Sequence, residues 1–141
     1  MGLFSRDDDN PLPKDDRGSG SFNDYRYDLV PARARVRIRL ADSNPHQEEL
    51  RRLVEVGEET LETAISRRSI EDERTDAPML VRLFAGTRVS GVVGTVPRGL
   101  EPIVDEALSR LDKRGQKVRI PVKLAKERGA LRVDLLIGQT R

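Results

Sequence analysis

The chain has 141 residues, a formal net charge of +2 and 35% charged residues, enough for one domain with a real core and too few for two. It has no cysteine, which excludes disulfide stapling, thiolate catalysis and cysteine-ligated metal sites and fits a reducing interior, so the expected location is cytoplasmic. No apolar run can span a bilayer, Asp7, Asp8 and Asp9 interrupt any signal-peptide pattern, and Arg6 stands where a myristoylation motif wants Ser or Thr.

Charge is unevenly spread. Residues 1–28 carry four basic and seven acidic side chains, residues 42–78 five and eleven, and residues 79–141 thirteen and six. Residues 1–28 also hold Pro11, Pro13 and Gly18-Ser19-Gly20-Ser21, and have too little apolar surface to offset the entropy of ordering. They are expected to form a flexible acidic tail, closed by Phe22, Tyr25 and Tyr27, which offer a docking segment for a protein partner or for the domain itself. Residues 29–141 then form a single α+β domain.

From Arg33 to Leu40 the residues alternate strictly. Ala34, Val36, Ile38 and Leu40 share one face and Arg33, Arg35, Arg37 and Arg39 the other, the period of a half-buried strand. Asn44 as N-cap, Pro45 at the first helical position and Gln47 three residues past the cap start a short helix carrying Leu50, Leu53 and Val54 inward, up to Gly57. Residues 58–70 fit a second helix, and Thr63 to Ile70 fits a strand equally well. Glu71 to Asp76 reads as a charged loop ending at Pro78. Met79 to Ala85 reads as a buried strand with Phe84 in the core, Gly86-Thr87-Arg88 as a turn, and Val89 to Val96 as the antiparallel partner.

The best-specified element is a helix from about Glu101 to Arg114. Ile103, Val104, Ala107, Leu108 and Leu111 form its stripe, acids lie early, bases lie late, and Gly115 stands at the C-cap. Lys117 to Leu124 and Leu131 to Ile137 alternate and form a hairpin through Glu127-Arg128-Gly129. The expected fold is thus α+β: a small, curved, mainly antiparallel sheet or OB-like barrel with two principal helices.

Catalytic chemistry has little to stand on. His46 is the only histidine, and it has Glu49 one turn on but no second pair to complete a metal site; any serine triad would have to recruit this same residue. Glu71-Asp72-Glu73 with Asp76 lacks the spacing and central glycine of a calcium loop, and Gly91, Gly94 and Gly99 match neither a phosphate loop nor a dinucleotide fingerprint. In-strand glycines of this kind permit bulges or close backbone approach. No cofactor is expected and the chain reads as a non-enzyme.

The arginine stripe carries more. Alternate residues of a strand stand about 6 to 7 Å apart, close to the spacing of phosphates along a nucleic-acid strand. Lys117, Arg119 and Lys123 make a second row that Arg132 extends. Neighbouring rows would form a cationic plate for DNA or RNA, for an acidic protein surface or for the chain's own acidic tail. With Phe84 in the core no stacking platform remains, so backbone contacts through Arg33, Arg35, Arg37, Arg39, Lys117, Arg119, Lys123 and Arg132 are the expected mode of binding.

The order of elements is also familiar. Val93-Gly94-Thr95-Val96-Pro97-Arg98, the helix to Gly115 and the hairpin ending Leu131-Arg132-Val133-Asp134-Leu135 resemble the small, stand-alone HIRAN-like domains, in which a Val-Gly-Tyr-Leu-Pro type turn feeds a helix and a closing hairpin. The first strand with Asn44-Pro45-His46-Gln47-Glu48-Glu49-Leu50 is similar to that family's opening, so the resemblance spans 29–141. It implies an OB-like barrel and, from the branch attached to DNA translocases, binding of single-stranded DNA ends. The chain departs from the family at its Glu-Pro-x-Asn-Pro-x-Asp-x-Asn-Ala loop, reading Glu71-Asp72-Glu73-Arg74-Thr75-Asp76-Ala77-Pro78-Met79-Leu80, and at Thr95 in place of tyrosine. The fold implication therefore reaches further than the DNA-end implication.

Overall fold

The computed structural model describes residues 11–56 and 61–141. In chain order, β1 (Ile38–Arg39) and α1 (Gln47–Val56) are followed by β2 (Leu61–Ala64), the short helix α2 (Ile70–Thr75), β3 (Leu80–Ala85) and β4 (Arg88–Thr95). Helix α3 (Glu101–Lys113) and the hairpin β5 (Val122–Glu127) and β6 (Ala130–Leu135) complete the chain. The fold is α+β, with two three-stranded antiparallel sheets ordered β1-β6-β5 and β2-β3-β4. Two single bridges, Ala41–Thr95 and Glu62–Pro121, tie the sheets together, and the ladders do not continue past them. Among the described residues no helix is long and apolar enough to cross a membrane.

Periodicity sets the strongest elements. All five stripe residues of α3, from Ile103 to Leu111, are buried, and Gly115 takes φ 71°, the left-handed conformation a C-cap needs. β3 and β4 pair as expected around Gly86, with register shifts on either side of Arg82. At Gly94 a Cβ would stand 2.7 Å from the carbonyl oxygen of Ala41, so only glycine lets the two sheets approach across the Ala41–Thr95 bridge.

Elsewhere tertiary contacts override the local pattern. The expected strand from Arg33 to Leu40 shrinks to Ile38–Arg39, because Val36 N–H turns back to the Arg33 carbonyl and residues 33–35 are exposed. The strand expected from Lys117 starts only at Val122, and the hairpin turn holds just Arg128 and Gly129, both at positive φ. Residues 61–64 form a strand, earlier than the Thr63 to Ile70 alternative, while 57–60 lie outside the described residues. The segment read as a charged loop contains α2, started by a reciprocal capping box between Ser69 and Asp72.

Residues 11–28, expected as tail, are laid against the domain. Ser19 exchanges backbone hydrogen bonds with Arg39 at 3.1 and 3.0 Å, adding to the β1 edge. Asp16 is 1% exposed, and its carboxylate accepts from the backbone N–H groups of Ser43 and Asn44 at 2.7 and 2.9 Å. It thus supplies the helix entrance with the acceptor expected from Asn44 itself. Gln47, read as half of a capping box, instead bonds both the N–H and the carbonyl of Leu131 at 2.8 and 3.0 Å and fastens α1 to β6. Val54, expected inward, is 41% exposed, whereas Leu50 and Leu53 are buried. The reading of 1–28 as a loose tail therefore gives way over 11–28; residues 1–10 lie outside the described residues.

Candidate polyanion-binding site

The arginine row does not form one plate. Arg33 and Arg35 sit in the turn, with Arg33 paired to Asp24 at 3.1 Å and Arg35 exposed. Arg39 and Asp134 are opposite each other in the β1–β6 register, and the guanidinium makes a two-pronged contact to that carboxylate at 2.8 and 3.2 Å and a further one to Glu127. Its hydrogen bond is the main reason that the Glu127 carboxyl lies below the usual carboxylate range. Arg37 lies 3.8 Å from the same Asp134. Arg132 is 4% exposed and bonded to Asp16 at 2.7 Å, with Asp15 at 3.4 Å. A charge so buried and so partnered belongs to the fold, not to a ligand. Of these cations Arg33 and Arg132 pair with carboxylates of residues 11–28, whereas Arg37 and Arg39 pair with carboxylates of the β5–β6 hairpin. Lys123, also opposite Asp134, remains exposed.

The remaining two residues of the expected set, Lys117 and Arg119, lie on a different face. Strand parity places Val81 and Leu83 inward at 0% exposure and Leu80, Arg82 and Phe84 on the outer face of the β2-β3-β4 sheet. Phe84 is therefore not a core residue. The Arg119 guanidinium lies 3.7 Å from its ring centroid, a cation–π stack, while one Arg119 nitrogen stands 3.5 Å from Glu62. Arg119 reaches this face because its chain neighbour Ile120 is clamped to β2: Thr63 N–H donates to the Ile120 carbonyl at 2.9 Å, and Ile120 N–H donates to the Thr63 hydroxyl at 3.0 Å.

Around this stack runs a groove of about 540 Å3 lined by Arg82, Phe84, Val89, Lys117 and Arg119 with residues 64–66. Lys117 and Arg119 also border a second depression of about 620 Å3 toward Pro121 and Gln139. Lys117 and Arg82 are exposed, and neither has an ion-pair partner among the described residues. Three cations, one aromatic ring and one exposed valine thus share a concave surface, which suits a strand of phosphates with bases to stack. The sequence pattern hides Arg82, because Met79 to Ala85 reads as a buried strand. Its parity with Phe84, two residues on, was the available signal.

The weaker candidates are committed elsewhere. Glu49, the supposed partner of His46, accepts from Gly91 N–H at 2.7 Å and from Arg52, and these bonds hold its carboxyl below the usual range. Among the described residues no three His, Cys, Asp or Glu side chains gather as metal ligands. No family model matches the chain, and no curated protein or solved structure matches it.

Proposed function

We propose that this chain is a non-enzymatic, cytoplasmic nucleic-acid-binding module that holds a single strand across the outer face of β2, β3 and β4. The observation that carries the reading is the Arg119–Phe84 stack at 3.7 Å with Lys117 and Arg82 in the same groove. A guanidinium backed by a ring offers its free face to a base, while the flanking cations meet phosphates without reading sequence. The two bridges at the sheet seams are where an OB-like barrel would close, so this reading agrees with the HIRAN-like resemblance, with Arg82, Lys117 and Arg119 proposed in place of the arginine stripe.

Fluorescence anisotropy against single-stranded DNA, duplex DNA and structured RNA at two salt concentrations tests the proposal. Two phosphate contacts, from Lys117 and Arg82, predict a log–log salt slope of about −1.4 for a single strand. A Lys117→Ala/Arg119→Ala variant should bind about tenfold or more weakly. Affinity that ignores salt, or that survives the double substitution, overturns the reading. The second reading, a protein-interaction module, is favoured by Tyr27, fully exposed at a hairpin tip with Phe22 57% exposed nearby in sequence. Loss of a captured partner in Tyr27→Ala, with oligonucleotide binding absent, would support it.

A further inference from the structure

Beside the groove lies a smaller and deeper pocket of about 240 Å3, lined by Ser66, Arg68, Ala77, Met79 and Arg82 among others. It shares Ser66 and Arg82 with the groove, so the two form one continuous surface. The Arg68 side chain is 11% exposed. Its Nη2 donates to the Ala77 carbonyl at 2.8 Å and, more weakly, to that of Asp72 at 3.4 Å. Asp76 stands 3.7 Å away but is itself 79% exposed and bonded to Arg98 at 2.6 Å. The Arg68 Nε is buried and has no acceptor among the described residues. A guanidinium N–H taken out of water and left unpaired asks for an acceptor. Asp72, the one carboxylate on the pocket wall, is turned to the Ser69 N–H at 3.0 Å in the capping box. Arg82, between two register shifts of β3, brings a second cation to the pocket mouth.

We propose that this pocket is a phosphate subsite, in which an oxyanion binds at the Arg68 guanidinium and is neutralised by Arg82. It rests on the groove reading for its physiological source, one phosphate of the bound strand. Its chemistry stands apart from that reading, because a preformed guanidinium donor binds free phosphate as well.

The test follows the arginine Nε–Hε signals of the full chain by NMR during titration with inorganic phosphate, with chloride at matched ionic strength as control, and then with a single-stranded oligonucleotide. Arg68 should shift saturably with phosphate and not with chloride, and the oligonucleotide should move the same signal. Arg82→Gln, at an exposed position with no ion-pair partner among the described residues, should weaken phosphate binding about fivefold or more. An unmoved Arg68 signal in both titrations overturns the subsite, even if the oligonucleotide binds through Lys117 and Arg119. A phosphate-dependent Arg68 shift in a protein that binds no oligonucleotide leaves the subsite standing and overturns the groove reading instead.

Discussion

Asp16 and Arg132, 116 positions apart, are 1% and 4% exposed and bonded at 2.7 Å. Burying both charges is tolerable only because Ser43 and Asn44 also donate to the carboxylate. Asp16→Ala leaves Arg132 buried without its main partner and should cost about 3 kcal/mol or more, read from urea unfolding. Arg33→Ala, which breaks an exposed pair, should cost under about 1 kcal/mol. Tyr25 offers a contrast. Its hydroxyl is buried with no hydrogen-bond partner among the described residues, and burial, with Asp24 adding, pushes its pKa up from 10.0 to about 12. The folded state therefore holds the proton more tightly than the unfolded one, so this contribution is fully present below pH 10 and is lost as pH rises toward 12. Tyr25→Phe should be close to neutral in stability at pH 7, and the wild type should lose more stability than the variant between pH 9 and 11.5, about where the phenol titrates. Equal losses would show that Tyr25 does not titrate differently in the two states.

Among the elements, α1 shows how far a helix depends on what surrounds it. At ten residues it is too short to persist alone, and its entrance, flank and face are held by Asp16, by Gln47 on Leu131 and by Glu49 on Gly91. Glu49 also satisfies a donor of β4, which discourages edge pairing there. Its folded pKa lies below the ordinary carboxyl value of 4.5, so its contribution is present above pH 4.5 and fades as pH falls through the folded value. Glu49→Gln should cost about 1 kcal/mol at pH 7, and the gap from wild type should narrow in acid unfolding measured down to about pH 3. α3, by contrast, was legible throughout, since stripe, charges and cap agree locally. α2 carried its signal too, as Ser69 and Asp72 in capping-box spacing, but six residues with no buried side chain left no periodicity to find.

For the whole molecule, the docking of 11–28 changes what a truncation can mean. This segment supplies Asp16 to the N–H groups of Ser43 and Asn44 at the helix entrance and to Arg132, and Ser19 to the β1 edge, so a chain beginning at residue 29 should melt about 10 °C or more below the full chain. A melting temperature unchanged by that deletion would show the contacts to be dispensable. Loss of a partner on removing 1–28 would thus report unfolding as readily as a lost docking segment, and Tyr27→Ala is the cleaner probe. The segment also separates two uses of positive charge. On the β1-β6-β5 side the arginines answer Asp15, Asp16, Glu127 and Asp134, whereas on the β2-β3-β4 side Lys117 and Arg82 stay open.

What the sequence determined alone was whatever a period or a cap could encode: α3 with its stripe, the β3–β4 and β5–β6 hairpins, the inward Val36, Ile38 and Leu40, and the α+β class. Those signals are local, and the tertiary structure preserved them because the faces they mark are the ones it buries. Only the tertiary structure decided which cations face water. Arg132 and Lys117 look alike in the chain, yet one meets a carboxylate 116 positions away and the other meets a groove, because burial of an ion requires a partner that sequence spacing does not bring near. The same holds for Phe84, whose outward face is useful only because Ile120, clamped to β2, sets Arg119 over its ring.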